Sequence, residues 1–271
     1  MEHETNREEP LLQAVELRKS FVAQAGVFEG DARRINAVDG VSLKVAQGET
    51  LAIAGESGSG KTTLARLLLR LEEPDSGSVR IFGQDLLAAR GNRLRALRRE
   101  MQMVFQDPYA SLDPRMNVES TVGEPLSIHE PQMNGAEIRE RVIGTLEAVG
   151  IGPDSLPRYP HEFSGGQRQR IGIARALVLR PKVIVADEPV SALDVSVGAQ
   201  ILSLLQDLQN EFALTYLIVS HNLPVVAQLA TRIAVMKSGR VVETGEARQV
   251  LEHPEHPYTQ ALIAAMPGLP G

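Results

Sequence analysis

Between Leu51 and Leu71 the chain reads Leu-Ala-Ile-Ala, then Gly55-Glu56-Ser57-Gly58-Ser59-Gly60-Lys61-Thr62, then Thr63 and a run with helical leucine spacing. No other stretch constrains the fold as strongly. An apolar run of strand length enters a glycine-rich turn and leaves as a helix, and the turn matches the pattern G-x-x-x-x-G-K-[ST] in full. Its glycines let successive backbone N–H groups curl around phosphate oxygens, and the helix N-terminus adds partial positive charge. The expected nucleotide contacts run from Gly55 through Thr63, with Lys61 on the outer phosphates and the Thr62 hydroxyl on Mg²⁺.

Around this unit, strand-length apolar runs at 183–186 and 214–219 alternate with helix-period segments, the pattern of an α/β fold with a mainly parallel sheet. Residues 11–17 and 41–45 alternate more strictly and read as an antiparallel β layer, with a polar loop expected at 23–36. Residues 113–163 read as a mainly helical insertion, and 135–149 carry a 3.6-residue apolar period. The tail from 251 reads as a short helix between irregular pieces. A chain of 271 residues is long enough for one to two domains, and it holds no cysteine, which excludes disulfides and thiolate chemistry.

Charge and hydropathy narrow the function classes. A formal net charge of −6 argues against coating nucleic acid, so no nucleic-acid partner is expected. The Arg90, Arg93, Arg95, Arg98 and Arg99 run is interleaved with leucine and reads as a solvated helix face, with Leu86, Leu87, Leu94 and Leu97 on its buried side. The first ten residues are acidic and lack an apolar run, so no secretory signal is expected. No stretch reaches the roughly 18 apolar residues needed to cross a bilayer. His253 and His256 lie among prolines and lack nearby ligands, which argues against a metal site.

A phosphate-bound Mg²⁺ needs a second anchor, and Asp187 at the end of the 183–186 run can supply it. Glu188 follows at once, where a carboxylate could orient or deprotonate an attacking water. An acidic pair at a strand end could equally be a solvated turn; the phosphate loop upstream favours the functional reading. Phe163 to Arg170, Phe-Ser-Gly-Gly-Gln-Arg-Gln-Arg, then resembles the signature motif of ATP-binding-cassette (ABC) ATPases. The resemblance covers nearly the whole chain. It implies a P-loop NTPase fold of cassette type, with ATP and Mg²⁺ as cofactors and two cassettes paired head to tail. Ser164, Gly165, Gly166 and Gln167 of one cassette would then face the nucleotide of the other. It also implies a Q-loop role near Mg²⁺ and water for Gln106, a D-loop at Ser191 to Asp194, a γ-phosphate contact for His221, and adenine stacking by Phe21. A core position is the rival reading for Phe21. Thr62 stands where Ser is commoner and Phe163 where Leu is commoner; both keep the required character.

Residues 105–116, 187–197 and 256–262 narrow the resemblance to the ATPase subunits of oligopeptide and dipeptide importers. It implies a cassette domain at 11–250, holding a helical subdomain at about 107–171, and a peptide-importer tail at 251–271. The expected protein is an ATPase at the cytoplasmic face of the inner membrane that energises peptide import. Its expected partners are two transmembrane permease subunits, a second cassette and, indirectly, an extracytoplasmic solute-binding protein. A soluble ABC-type ATPase in phosphonate metabolism or another non-transport role is the alternative, and nickel chelates or glutathione-like compounds are the alternative solutes. Tyr109, Leu112 and Met116 are the expected apolar contacts to a permease helix.

Overall fold

The structure, a computed structural model, describes residues 9–22 and 34–265. The larger sheet is built from β3 (Thr50–Ala54), β6 (Met101–Val104), β7 (Val183–Asp187), β8 (Thr215–Ser220), β9 (Arg232–Lys237) and β10 (Arg240–Glu246), in the order β10-β9-β3-β8-β7-β6. All pairings are parallel except β9 with β10. Every residue of β3, β7 and β8 is buried, as required of strands covered on both faces. Alternation along β7 splits its side chains between two cores. Val183 and Val185 join one with Leu217 and Val219, and Ile184 and Ala186 join the other with Tyr216 and Ile218.

The smaller sheet is antiparallel throughout: β1 (Leu12–Val22), β2 (Arg34–Val45), β4 (Ser76–Ile81) and β5 (Gln84–Asp85), in the order β2-β1-β4-β5. Both expected strands are longer than their alternating cores, because the backbone ladder continues past the apolar residues through Phe21↔Ile35 and Val22↔Arg34. The expected loop at 23–36 therefore yields residues 34–36 to β2, and its remainder lies outside the described residues. So do residues 1–8, Pro267 and Pro270.

Helix α1 (Lys61–Leu68) follows β3, and α2 (Gly91–Arg99) precedes β6. The leucine spacing predicts a helix to Leu71, but Arg70 turns left-handed at φ 50° and Leu71 N–H closes back on the Arg66 carbonyl at 2.8 Å. Leu97 and Leu94 do form the inner side of α2, whereas Leu86 and Leu87 pack from the turn ahead of it. Arg98 and Arg99 turn to the Arg70 carbonyl and the Glu130 carboxylate.

The 107–177 region holds α3 (Pro108–Ser111), α4 (Val118–His129), α5 (Gly135–Ala148) and α6 (Gly165–Leu177). Helix α5 starts where Asn134 and Glu137 close a reciprocal capping box. Leu112 is a correction to the expected contact surface: it is only 2% exposed and packs with Val118, Val122 and Ile171. A leucine flanked by an open turn goes inward here because α4 and α6 leave an apolar site beneath it. Tyr109, by contrast, is 64% exposed. Beyond these, α7 (Val195–Phe212), α8 (Leu223–Leu229), α9 (Ala247–Glu252) and α10 (Pro257–Ala264) complete the chain. The last two pack on β3 and β9 through Val250, Tyr258 and Leu262.

Candidate nucleotide site

Parallel register brings the functional segments to one edge. Ala54 pairs with Ser220 and Asp187 with Val219, so the phosphate loop, the acidic pair and His221 all leave the sheet at the carboxyl ends of adjacent strands. Gln106 follows the end of β6, whose Val104 pairs with Ala186. A cavity of about 1010 Å³ opens there. Ser57, Gly58 and residues 60–63 line one side, and Gln106, Glu188 and His221 the other.

Two glycines are fixed by geometry. Gly60 sits at φ 103°, and a Cβ there would overlap the Ala37 carbonyl; Gly55 sits at φ 150°, against the Met236 carbonyl. Any side chain at either position would push the loop off the strands behind it. No side chain caps α1. Its first-turn amides are therefore oriented toward the cavity as a helix N-terminus offers them to an anion. The Lys61 ammonium is held by the Gly55 carbonyl at 2.8 Å and the Glu56 carbonyl at 2.7 Å. Burial pushes its pKa below the ordinary lysine value, against the pull of Glu188, Asp187 and Glu56.

Thr62 Oγ1 donates to Asp187 Oδ1 at 3.1 Å. Burial pushes the Asp187 carboxyl above its ordinary value, opposed by that hydrogen bond and by Arg66 and Lys61. Glu188 adopts a left-handed backbone at φ 47°, an unusual conformation for a residue with a Cβ, and its N–H is anchored by the Val219 carbonyl at 2.8 Å. That turn swings its carboxylate out of the sheet and between two partners. Gln106 Nε2 donates to one oxygen at 2.9 Å, and His221 Nδ1 lies 2.7 Å from the other.

Ser164, Gly165, Gly166 and Gln167 are not among the residues lining this cavity. Ser164 caps α6, its hydroxyl accepting from Gln167 N–H at 3.4 Å while Ser164 N–H donates to Gln167 Oε1 at 3.0 Å. Gly165 and Gly166 let α6 approach Leu193 and Val197, so the motif rests on the D-loop segment and the start of α7. Asp194 caps α7 by accepting from Val197 N–H at 2.9 Å. Phe21 is 42% exposed, which removes its core reading; it stands beside Ile35, which does line the cavity. His256 accepts from Tyr258 N–H at 3.1 Å and so caps α10. One contact escaped the sequence reading: the Tyr258 hydroxyl accepts from Glu56 N–H at 3.2 Å. The His-Pro-Tyr-Thr run marks the residue but carries no sign of its partner.

Residues 38–191 match the family described as ABC transporter, and residues 242–270 match the oligopeptide/dipeptide transporter C-terminal region. A di/tripeptide transport ATP-binding protein, DppF, of Pseudomonas aeruginosa is 49% identical over 96% of this chain and 80% of its own length. A glutathione import ATP-binding protein, GsiA, of Salmonella paratyphi A is 51% identical over 96% of this chain, which spans 41% of that longer protein. Among solved structures, the dimeric post-hydrolysis ATP-binding cassette MJ0796 bound to ADP and Pi superposes with a TM-score of 0.76 at 31% identity, covering 88% of this chain and 99% of that one. The cassette cbiO1 of Clostridium perfringens, part of the transporter complex cbiONQ, gives 0.77 at 30% identity, covering 91% and 92%. With its phosphate loop, acidic strand end and tail accounted for in this way, the chain belongs to the ABC transporter family of ATP-binding cassettes.

Proposed function

We propose that the chain hydrolyses ATP to drive import of di- and oligopeptides through a membrane ABC transporter. The observation that carries the hydrolytic part is Glu188, its carboxylate held between Gln106 and His221 across the cavity from Lys61. In this reading Lys61 and the amides of residues 57–63 hold the β- and γ-phosphates, and Phe21 stacks on adenine beside Ile35. Glu188 accepts a proton from water as the water oxygen attacks the γ-phosphorus in line. The bond from that phosphorus to the bridging oxygen breaks, and ADP leaves with phosphate. Gln106 and His221 keep the carboxylate aimed.

Thr62 and Asp187 fit a hard divalent cation, since both offer oxygens, and the burial that raises the Asp187 carboxyl leaves an anion short of solvation. Mg²⁺ held there, with Gln106 as a further oxygen donor, would supply neutralisation of phosphate charge. Ser164 to Gln167 would act on the nucleotide of a second cassette.

Relatives named as ATP-binding proteins of di/tripeptide transport and glutathione import, together with the C-terminal region, support a short peptide as solute. Among the described residues no helix is long and apolar enough to cross a membrane. By its likeness to importer ATPase subunits, the chain would work peripherally, at the cytoplasmic face of the inner membrane, under two permease subunits fed by an extracytoplasmic solute-binding protein. Exposed Tyr109, stacked 3.9 Å from the Arg168 guanidinium, and half-buried Met116 are the contacts left to a permease helix. Uptake of labelled dipeptide and labelled glutathione, measured in cells with and without the chain, tests the reading. Loss of peptide uptake is expected; unchanged peptide uptake with loss of another solute overturns the peptide assignment.

A further inference from the structure

The peptide plane between Gly55 and Glu56 is gripped on both edges. Its carbonyl accepts from the Lys61 ammonium at 2.8 Å, and its N–H donates to the Tyr258 hydroxyl at 3.2 Å. In a trans peptide these two groups point in opposite directions, so fixing one fixes the other. Tyr258 lies 202 residues further along the chain, yet it is only 8% exposed and belongs to the same apolar cluster as Ala54, the last residue of β3. Its own position is well determined. Lys237 Nζ stands 4.6 Å from its ring centroid. His256, two residues earlier, caps α10 by accepting from the Tyr258 N–H, and Glu243 accepts from the N–H groups of Glu255 and His256 at 2.9 and 3.0 Å.

We infer that Tyr258 is a positioning residue for the nucleotide site: its hydroxyl holds the Gly55–Glu56 peptide plane so that Lys61 and the loop amides stay aimed at the phosphates. The C-terminal segment is thus a built part of the phosphate loop's support, and the aim of Lys61 depends on it. A loop already set in its binding shape loses less freedom when ATP arrives. Tyr258→Phe keeps the ring, its apolar contacts and the Lys237 cation, and removes only the oxygen that Glu56 N–H uses.

The inference rests on residues 55–63 being the ATP site, and the experiment separates the two. Equilibrium binding of ATP to the full chain is measured for wild type, Tyr258→Phe and Leu262→Ala, with the melting temperature of each nucleotide-free protein. Leu262 packs in the same cluster but touches no loop amide in the hydrogen-bond pattern, so its truncation reports packing alone. Tyr258→Phe is expected to raise the Kd for ATP about 3- to 10-fold, the range of one lost hydrogen bond, with a nucleotide-free melting temperature close to wild type. Leu262→Ala is expected to lower the melting temperature and leave the Kd of the folded protein unchanged. An unchanged or tighter Kd for Tyr258→Phe, or a weakening matched by Leu262→Ala, overturns the inference. Wild-type protein that binds no ATP overturns the site assignment instead.

Discussion

Two helices in this chain begin with glycine-rich sequence, and their N-termini are finished in opposite ways. Helix α1 starts from Gly60 in a left-handed conformation with no side-chain cap, at the floor of the cavity. Helix α6 starts from Ser164 in an extended conformation and closes on itself through the reciprocal Ser164 and Gln167 bonds. An uncapped helix end leaves its amides to a ligand, whereas a boxed one already satisfies two of them. The first end is also loaded with the charge a phosphate needs, Lys61 buried against its own loop carbonyls. The second carries exposed Ser164 and Gln167 away from the chain's own cavity. One end is built to hold a nucleotide alone. The other is closed without one, and in the proposed reading it is the surface that meets a phosphate presented by a second cassette.

The comparison is broken most severely at the carboxylate proposed to activate water, which lines the cavity at the first end. Glu188→Gln should lower steady-state phosphate release about 10²- to 10⁴-fold while ATP binding is kept, because the amide keeps the size of the side chain and one acceptor oxygen but takes no proton from water. Turnover near that of wild type would remove Glu188 from its role. A smaller effect sharpens the first end: Lys61→Ala should weaken ATP binding to the single chain about 10- to 100-fold, the range of a lost charge-assisted contact. Isothermal titration reads it directly, and an unchanged affinity would mean that the loop amides alone carry the phosphate.

These contrasts were unevenly legible in the sequence. The strand, loop and helix at 50–68 follow from local pattern, because an apolar run, glycine spacing and leucine periodicity all act within a few residues. The 3.6-residue apolar period at 135–149 announces α5 for the same reason, whereas its Asn134–Glu137 cap was not read from the sequence. Gln106, Glu188 and His221 were placed together by resemblance; no local rule says that three strand ends become neighbours, which depends on the order β3-β8-β7-β6. The left-handed turn at Glu188 is likewise enforced by tertiary bonds and has no glycine to signal it. Leu112 and Tyr109 sit three residues apart in one turn-rich segment, and only the packing of α4 and α6 decides that the leucine goes in and the tyrosine stays out. Tyr258 shows the limit most plainly: its partner amide belongs to the phosphate loop, at the other end of the chain.

In the proposed reading, the two helix ends serve different nucleotides. Ser164→Arg tests it in a single protein: ATP affinity of the isolated chain is measured beside phosphate release at concentrations where cassettes pair. The bulky cation should block the paired state, so phosphate release should fall to background. ATP affinity should stay within about twofold of wild type, less than the loss of even one hydrogen bond typically causes. A fall in single-chain affinity comparable to that of Lys61→Ala would place both helix ends on one nucleotide and contradict the account.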